Sequence, residues 1–202
     1  MSIKSQEELL KQLANELDGA FVEGHYGNSD TIEVNFNGYK IIFDPYFSYT
    51  VISGLAMSQG FTRVRVRFNQ KDNFNFIIHR KGFFSAVRKL FGAHDILIGD
   101  DEFDKSFTIK SNNENRIRLL LSNNSIKEII SSQDNIRLEI FDKIGPFSEN
   151  VPDGISELYF IHDGSITDIE KLKSLKTLFI EILTDLSKLS DITPDNSNVS
   201  YY

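Results

Sequence analysis

The sequence predicts an α+β fold, in which helices pack on one face of an antiparallel sheet. Residues 20–80 alternate apolar and polar positions in short runs that turn signals separate. Apolar stripes at helical spacing lie near both ends of the chain. The 202 residues are 40% hydrophobic and 25% charged, which is typical of globular domains. Together these patterns predict a β-rich N-terminal half followed by a β-α-α-β-β-α unit.

The first element is predicted to be a helix. Ser5 can cap it, with Glu8 three residues later in a capping box, and Gly19 ends it. Four leucines form one apolar stripe along this helix: Leu9, Leu10, Leu13 and Leu17. The helix is therefore expected to cover a sheet.

An antiparallel sheet of five or six strands is predicted next. Residues 31–36 alternate cleanly, and Asn37-Gly38 is a strong signal for a two-residue hairpin. Pro45 interrupts the return strand, 39–44, and an extended run resumes over 46–52. Ser53-Gly54 and Gly60 bracket a predicted loop or short turn. A second hairpin joins strands 61–68 and 74–79.

The rest of the chain alternates strands and helices. A short helix is predicted at 83–91, followed by an acidic turn at 100–104. The later predicted elements are a strand at 106–110, helices at 113–121 and 126–131, strands at 136–141 and 158–162, and a long helix at 168–189. Asn113 and Asp168 are the predicted caps of two of these helices.

These elements divide the chain into residues 1–92, a helix plus antiparallel sheet, and residues 93–191, the β-α-α-β-β-α unit. The two parts can form one continuous domain, because no linker or low-complexity tract separates them. Residues 192–202 are polar and are expected to be a frayed tail.

The charge is segregated. Eight Lys and Arg residues lie between residues 61 and 92 with one acid, Asp72, so that window carries +7 and the remaining 170 residues carry −14. The basic residues are Arg63, Arg65, Arg67, Lys71, Arg80, Lys81, Arg88 and Lys89. A basic region in an acidic chain can steer an acidic partner toward it.

Three arginines form a ladder at the start of this window. Because side chains alternate along a strand, Arg63, Arg65 and Arg67 share one face, opposite Val64 and Val66. Acids on neighbouring strands, such as Glu33 or Glu23, can pair with them. Otherwise the ladder, with Lys71, Arg80 and Lys81, forms an anion-binding or partner-binding face.

The segment Gly99-Asp-x-x-Phe103-Asp-x-x-Phe107-x-Ile109, followed by three leucines at 119–121, resembles bacterial domains of unknown function of the DUF3137-like kind. The resemblance extends over roughly residues 75–190. It implies a fold and transfers no catalytic residue, because that family has no agreed activity. Its members often carry membrane-spanning segments before the domain, and this chain has none.

Catalytic and metal-binding signatures are missing. The acids of the 100–104 turn lack the spacing of a calcium loop, so Asp100 or Asp104 is expected to accept backbone N–H bonds instead. His25, His79, His94 and His162 lack zinc-site spacing, and the chain has no cysteine. No nucleophile elbow or phosphate loop is present. We therefore predict no metal and no cofactor, and we favour a non-catalytic protein.

Two further uses of the basic window are possible from the sequence. Phe74 and Phe76 lie beside the ladder and suggest a platform on which the bases of a single-stranded nucleic acid stack, although the pattern also places both residues in the core. Arg88 and Lys89 lie opposite the apolar face of the predicted helix 83–91, which suggests contact with an anionic membrane. Packing of that helix on the sheet is the favoured interpretation, and nucleic-acid binding is disfavoured by the acidic composition.

The sequence therefore favours an interaction domain that binds an acidic protein, or a second copy of itself, through its basic face. The alternatives are a small-anion or nucleic-acid binder on the same face, or a hydrolase whose site joins distant residues, such as His79 with Asp44 or with the acidic turn at 100–104. With no signal peptide and no long apolar run, the sequence predicts a soluble, cytoplasmic bacterial protein.

Overall fold

A computed structural model describes residues 3–24, 29–52, 55–82, 94–141, 154–189 and 192–195, with backbone alone at 3–6, 46–52 and 55–59. The helices in these ranges are α1 Ile3–Glu16, α2 Asp101–Ser106, α3 Glu114–Leu120, α4 Asn124–Ser131 and α5 Ile169–Lys188. The strands are β1 Ala20–Val22, β2 Thr31–Phe36, β3 Tyr39–Ile52, β4 Leu55–Gln70, β5 Phe76–Arg80, β6 Phe107–Ser111, β7 Arg137–Phe141, β8 Ile155–Asp163 and β9 Ile192–Pro194. The predicted helix 83–91 lies outside the described residues.

All nine strands belong to one antiparallel sheet. Its order is β1-β2-β3-β4-β8-β7-β5-β6, and β9 pairs with the end of β4. Strands from the two halves of the sequence therefore alternate in space, since β8 and β7 lie between β4 and β5. The predicted α+β class and the β-α-α-β-β-α order of the second half are confirmed.

The apolar core lies between one face of this sheet and the five helices. Alternate strand residues such as Val64, Val66, Leu158 and Phe160 point into it. The buried residues of α5 that pack against them are Leu172, Leu175, Leu178, Phe179, Ile182, Leu183 and Leu186. The predicted arrangement of helices on one face is thereby confirmed.

Local capping chemistry explains where several helices begin. Asn113 caps α3 and Asp168 caps α5, as predicted, each accepting a backbone N–H of the first turn. Asn123 caps α4, which begins at Asn124, two residues before the predicted start at 126. Ser5 does not cap α1, because the helix already includes it.

Four parts of the prediction need correction. The strands 61–68 and 74–79 do not form the predicted second hairpin, because β8 and β7 lie between β4 and β5. The acidic turn is a helix, α2, because Asp100 accepts the N–H of Phe103 and so caps it. The start of the supposed frayed tail is β9, in which Ile192 is buried against the core. Finally, the loop predicted around Gly60 does not exist as such, since β4 runs continuously through that glycine.

Candidate functional site

The three arginines of the ladder lie on one face of β4, and Val64 and Val66 lie on the core face, as predicted. The ladder face is not open to solvent, however. Arg65 and Arg67 are 4% and 2% exposed, and the side chain of Arg63 is 12% exposed. Burial of three guanidinium groups requires partners for their charge, because an isolated charge in a protein interior is strongly unfavourable.

Two carboxylates on the adjacent strands supply those partners. Asp44 of β3 accepts Nε and Nη2 of Arg63 at 2.7 and 2.8 Å, and it lies 2.9 Å from Nη2 of Arg65. Glu157 of β8 accepts Nε of Arg67 at 3.0 Å. The expected exposed basic face is therefore corrected: each arginine of the ladder is paired within the chain.

The acids that pair with the ladder are not those expected from the sequence. Glu33 of β2 lies two strands from β4 and pairs with Lys40 at 3.1 Å. Asp44 lies directly opposite Arg63, and Glu157 directly opposite Arg67, in the sheet register. Directly opposed side chains meet most readily, so register decided which acids pair.

The other three residues of the predicted basic set lie elsewhere. Arg80 of β5 is separated from β4 by β8 and β7, a distance of about 14 Å across the sheet. It donates to the carbonyls of Ser131 and Gln133 and stacks on Phe107. Lys81 donates to the carbonyl of Asp104. Lys71 is exposed in the turn after β4. The six residues therefore do not form one surface.

A second polar group continues the ladder face across the sheet. Arg137 and Glu139 of β7 pair at 3.0 Å, and Tyr159 lies beside them on β8. Burial strongly raises the pKa of Tyr159, and its hydroxyl has no hydrogen-bond partner among the described residues. Burial lowers the pKa of His79, aided by the charge of Arg137. This face is thus a buried polar layer.

The structure also separates the pair suggested for a hydrolase. His79 lies on β5 and Asp44 on β3, with three strands between them, which places them about 19 Å apart. Proton transfer needs hydrogen-bond contact, so these two residues do not form a catalytic pair. His25 lies outside the described residues. That particular assignment is therefore wrong.

The acidic residues 100–104 have structural roles, as expected. Asp104 accepts the backbone N–H groups of Ile98 and Gly99, and Asp100 pairs with Lys127 at 2.9 Å. In the described ranges, no cluster of three His, Asp or Glu side chains could hold a metal ion. Phe74 and Phe76 are buried and contact each other, so they do not form an exposed stacking platform.

The most unusual backbone feature lies next to the ladder. β3 and β4 stay paired from Ile42↔Arg65 to Ile52↔Leu55. Their other neighbours stop much earlier, since β2 reaches Phe43 and β8 reaches Phe61. Residues 47–52 and 55–60 therefore form a two-stranded extension with no third strand among the described residues. We call this extension the β-arm.

The β-arm carries no charged residue. Residues 46–62 contain no Asp, Glu, Lys, Arg or His, although a chain that is 25% charged would place about four charges in such a stretch. The β-arm is not predicted from the sequence, because Pro45 and Gly60 are residues typical of strand ends. The uncharged run of 17 residues was the available signal.

Buried polar contacts fix the base of the β-arm. Asp44 and Arg63 are direct cross-strand partners there, joined by two hydrogen bonds. On the β8 side, Gly164 donates its N–H to the carbonyl of Gly60 at 2.8 Å. Thr62 donates to the carbonyl of Gly164 and accepts the N–H of Ile166. These contacts hold β3 and β4 in register at the end of the multi-stranded part of the sheet, where the β-arm begins.

Two depressions lie on the helical side of the molecule. One, of about 570 Å³, lies between α2 and α4 and is lined by charges of both signs, including Arg80, Lys127, Glu102 and Glu128. The other, of about 280 Å³, lies between α3 and α5 beside the exposed Leu119 and Leu189. Neither contains a set of groups that specifies one ligand.

Comparison with known proteins gives one similar fold. No protein-family model and no curated protein matches this sequence. A crystal structure of the mycobacterial trehalose monomycolate transport factor A, TtfA, superposes with a TM-score of 0.48 and 10% identity. That alignment covers 95% of this chain and 99% of the other. A similarity at this level carries no conclusion about function. The resemblance to DUF3137-like domains stays a prediction.

No helix within the described ranges is both long and apolar enough to cross a membrane.

Proposed function

We propose that this chain is a non-catalytic interaction domain that binds a protein partner by strand addition to the β-arm. The observation that supports this proposal is a long two-stranded extension that lacks charge and lacks a third strand among the described residues. Strand addition uses main-chain hydrogen bonds, so an extended partner of many sequences can bind such an edge.

The backbone of the β-arm has hydrogen-bonding capacity to offer. Each strand of an isolated two-stranded ribbon uses only half of its N–H and C=O groups in the ribbon. Such ribbons are at best marginally stable in water by themselves. Natural proteins usually protect a long edge with charges, prolines or covering segments. From residue 55 to residue 60, β4 contains neither a charge nor a proline. The edge is suited to a partner strand.

The predicted binding of an acidic partner on the arginine ladder receives less support. An incoming anion would have to displace Asp44 or Glu157, both almost fully buried beside the guanidinium groups. Binding of an anion or a nucleic acid by the six basic residues therefore remains a prediction. At the outer edges of the β-arm, a partner strand would displace no strand of the part of the chain that the structure describes.

A labelled strand peptide tests strand addition. The probe is a decapeptide of four Thr-Val repeats with a lysine at each end, and its fluorescence anisotropy is followed in dilute protein. The matched control peptide has the same charge but is N-methylated at every Thr and Val, which removes the main-chain donors from both of its edges. The control protein replaces residues 47–60 by Asn-Gly, which joins Tyr46 to Phe61 through a two-residue hairpin turn.

We expect the intact chain to bind the unmethylated peptide. Its affinity for the methylated peptide should be lower by about tenfold or more, because main-chain hydrogen bonds are lost. The shortened protein should bind neither. Equal binding of the two peptides, or equal binding by the shortened protein, contradicts the proposal. Partition of the intact chain onto phosphatidylcholine vesicles, absent for the shortened protein, would instead assign the β-arm to lipid.

A further inference from the structure

We infer that the partner of the β-arm is a second copy of this chain, bound edge to edge and antiparallel through residues 55–60 of β4. This inference rests on the proposed function and names its partner. A two-fold axis relates identical surfaces in a symmetric dimer, and antiparallel strands of the same sequence satisfy that symmetry. Directly opposed residues of an antiparallel pair share one face of the sheet, so the axis passes through a residue and not between two neighbours. With Ser58 opposite Ser58 of the second copy, residues 56–60 of the two copies pair.

Pro45 indicates which edge of the β-arm is used. It lies on β3 just beyond the last residue that pairs with β2. Proline has no N–H to donate, and within sheets it is confined to edges and bulges, where it hinders the addition of another strand. The corresponding edge of β4, over residues 55–60, contains no proline. The β4 edge is therefore the better site for pairing.

Electrostatics explains why two acidic molecules can meet at this place. Each copy carries a formal charge of −7, so two copies repel each other in most orientations. Antiparallel pairing of the two β-arms leaves the charged bodies at opposite ends of the paired segment. Six residues of strand span about 20 Å, more than twice the Debye length of about 8 Å at physiological ionic strength. The neutral β-arm thus keeps the charges apart while the backbones pair.

The ionic-strength dependence separates this dimer from the docking of a basic face on an acidic surface. Attraction between opposite charges weakens when salt is added. In the β-arm dimer the remaining electrostatic interaction is repulsion between like-charged bodies, which salt screens. Association through the β-arm should therefore become stronger as salt increases.

Sedimentation velocity across a concentration series, at low and at high salt, measures the association directly. We expect a reversible monomer–dimer equilibrium that shifts toward the dimer at high salt and is absent in the variant with residues 47–60 replaced by Asn-Gly. A monomer at every concentration would overturn the inference. If such a monomer still binds the strand peptide, the proposed function stands and only the identity of the partner is wrong.

Lysine substitutions on the two strands of the β-arm, one residue apart in the β3–β4 register, test which edge pairs. Ser58→Lys places two cations next to the two-fold axis, where adjacent strands lie about 5 Å apart. Thr50→Lys, on β3, places them about 14 Å apart, because two further strand spacings intervene. We expect Ser58→Lys to weaken the dimer more than about tenfold and Thr50→Lys less than about threefold. The reverse order would assign the contact to the β3 edge and contradict the inference.

Cross-linking supplies a second measurement, since the chain has no native cysteine. Ser58→Cys should form a covalent dimer under mild oxidation, because Cα atoms across paired strands lie within disulfide range. Thr177→Cys, on the exposed side of α5, is the matched control and should form no covalent dimer. Equal cross-linking at both positions would indicate random collision rather than pairing.

Discussion

The two halves of β4 differ in both charge and neighbours. Over residues 61–70, β4 has strands beside it and carries three buried arginines, each paired with a carboxylate of the same chain. Over residues 55–60, it has only β3 beside it among the described residues, and it carries no charge. Charge is usually placed at open edges and kept out of buried strands.

This reversal teaches where to look for function in the molecule. The arginines are prominent in the sequence, but the structure uses them internally, where Asp44 and Glu157 match them in register. The β-arm is inconspicuous in the sequence, but in the described ranges no strand pairs with its outer edges. The Asp44–Arg63 pair joins β3 to β4 at the base of the β-arm.

The largest expected effect is the loss of Asp44. Asp44→Ala leaves Arg63 and Arg65 buried without their carboxylate, and removal of one partner of a buried pair destabilises by about 3–5 kcal/mol. Glu33→Ala is the matched control on the same sheet, because its pair with Lys40 is partly exposed and contributes about 0–1 kcal/mol. Urea denaturation measures both. Similar losses for the two variants would show that the ladder face is effectively solvated.

A double-mutant cycle on Arg67 and Glu157 sharpens the comparison. Arg67→Met alone should destabilise by about 3–5 kcal/mol, since Glu157 is then a buried, uncompensated carboxylate. Arg67→Met combined with Glu157→Met should recover most of that loss, because apolar residues can replace a buried pair. Unfolding free energies of the four proteins give the coupling. A double variant as unstable as the two single losses added together would show that the pair is not coupled.

Shortening the β-arm tests whether it belongs to the folded body. Replacing residues 47–60 by Asn-Gly removes the segment that has no third strand, so the free energy of unfolding should change by less than about 1 kcal/mol. The far-ultraviolet circular dichroism and the cooperativity of unfolding should also be preserved. Loss of cooperative unfolding would mean that the β-arm is part of the core.

The smallest expected effect is a pH dependence from His79. Burial lowers its pKa below the usual value near 6.5, so the unfolded chain binds a proton more readily than the folded one. Stability is therefore fully present above about pH 7 and falls as the pH drops through 6.5 toward the folded pKa. His79→Asn should reduce this fall between pH 7.5 and 5.5, as measured by urea midpoints. His94 is exposed, so His94→Asn is the control. If His94→Asn reduced the fall in stability equally, the pH dependence could not be assigned to His79.

Sequence reasoning predicted the elements whose signals are local. The hairpin at Asn37-Gly38 needs two residues with positive φ, and both have it. The caps Asn113 and Asp168 depend on one side chain and the next turn of backbone, so composition was sufficient. Helix α2 is not evident in the sequence because its fewer than two turns resemble an acidic turn. Strand β9 is not evident because a three-residue strand has no periodicity to detect.

The candidate site was harder to predict, because pairing between strands is not local. Alternation placed the arginine ladder on one face correctly. It could not show that Asp44 and Glu157, 19 and 90 residues away from their partners, would lie directly opposite. The β-arm could not be predicted for the same reason. Among the described residues it begins where pairing with β2 and β8 ends, and the sequence of the β-arm does not show where those two strands stop.

The amino-acid sequence by itself determined the α+β class, the caps, the face on which the arginines lie and the neutral stretch at 46–62, because each depends on neighbouring residues in the chain. Tertiary structure alone decided the strand order that inserts β8 and β7 between β4 and β5. That order brings Glu157 to Arg67 and ends β8 opposite Phe61. Register therefore buried the charges and left the uncharged strands extended, since hydrogen bonding between distant segments fixes which side chains meet.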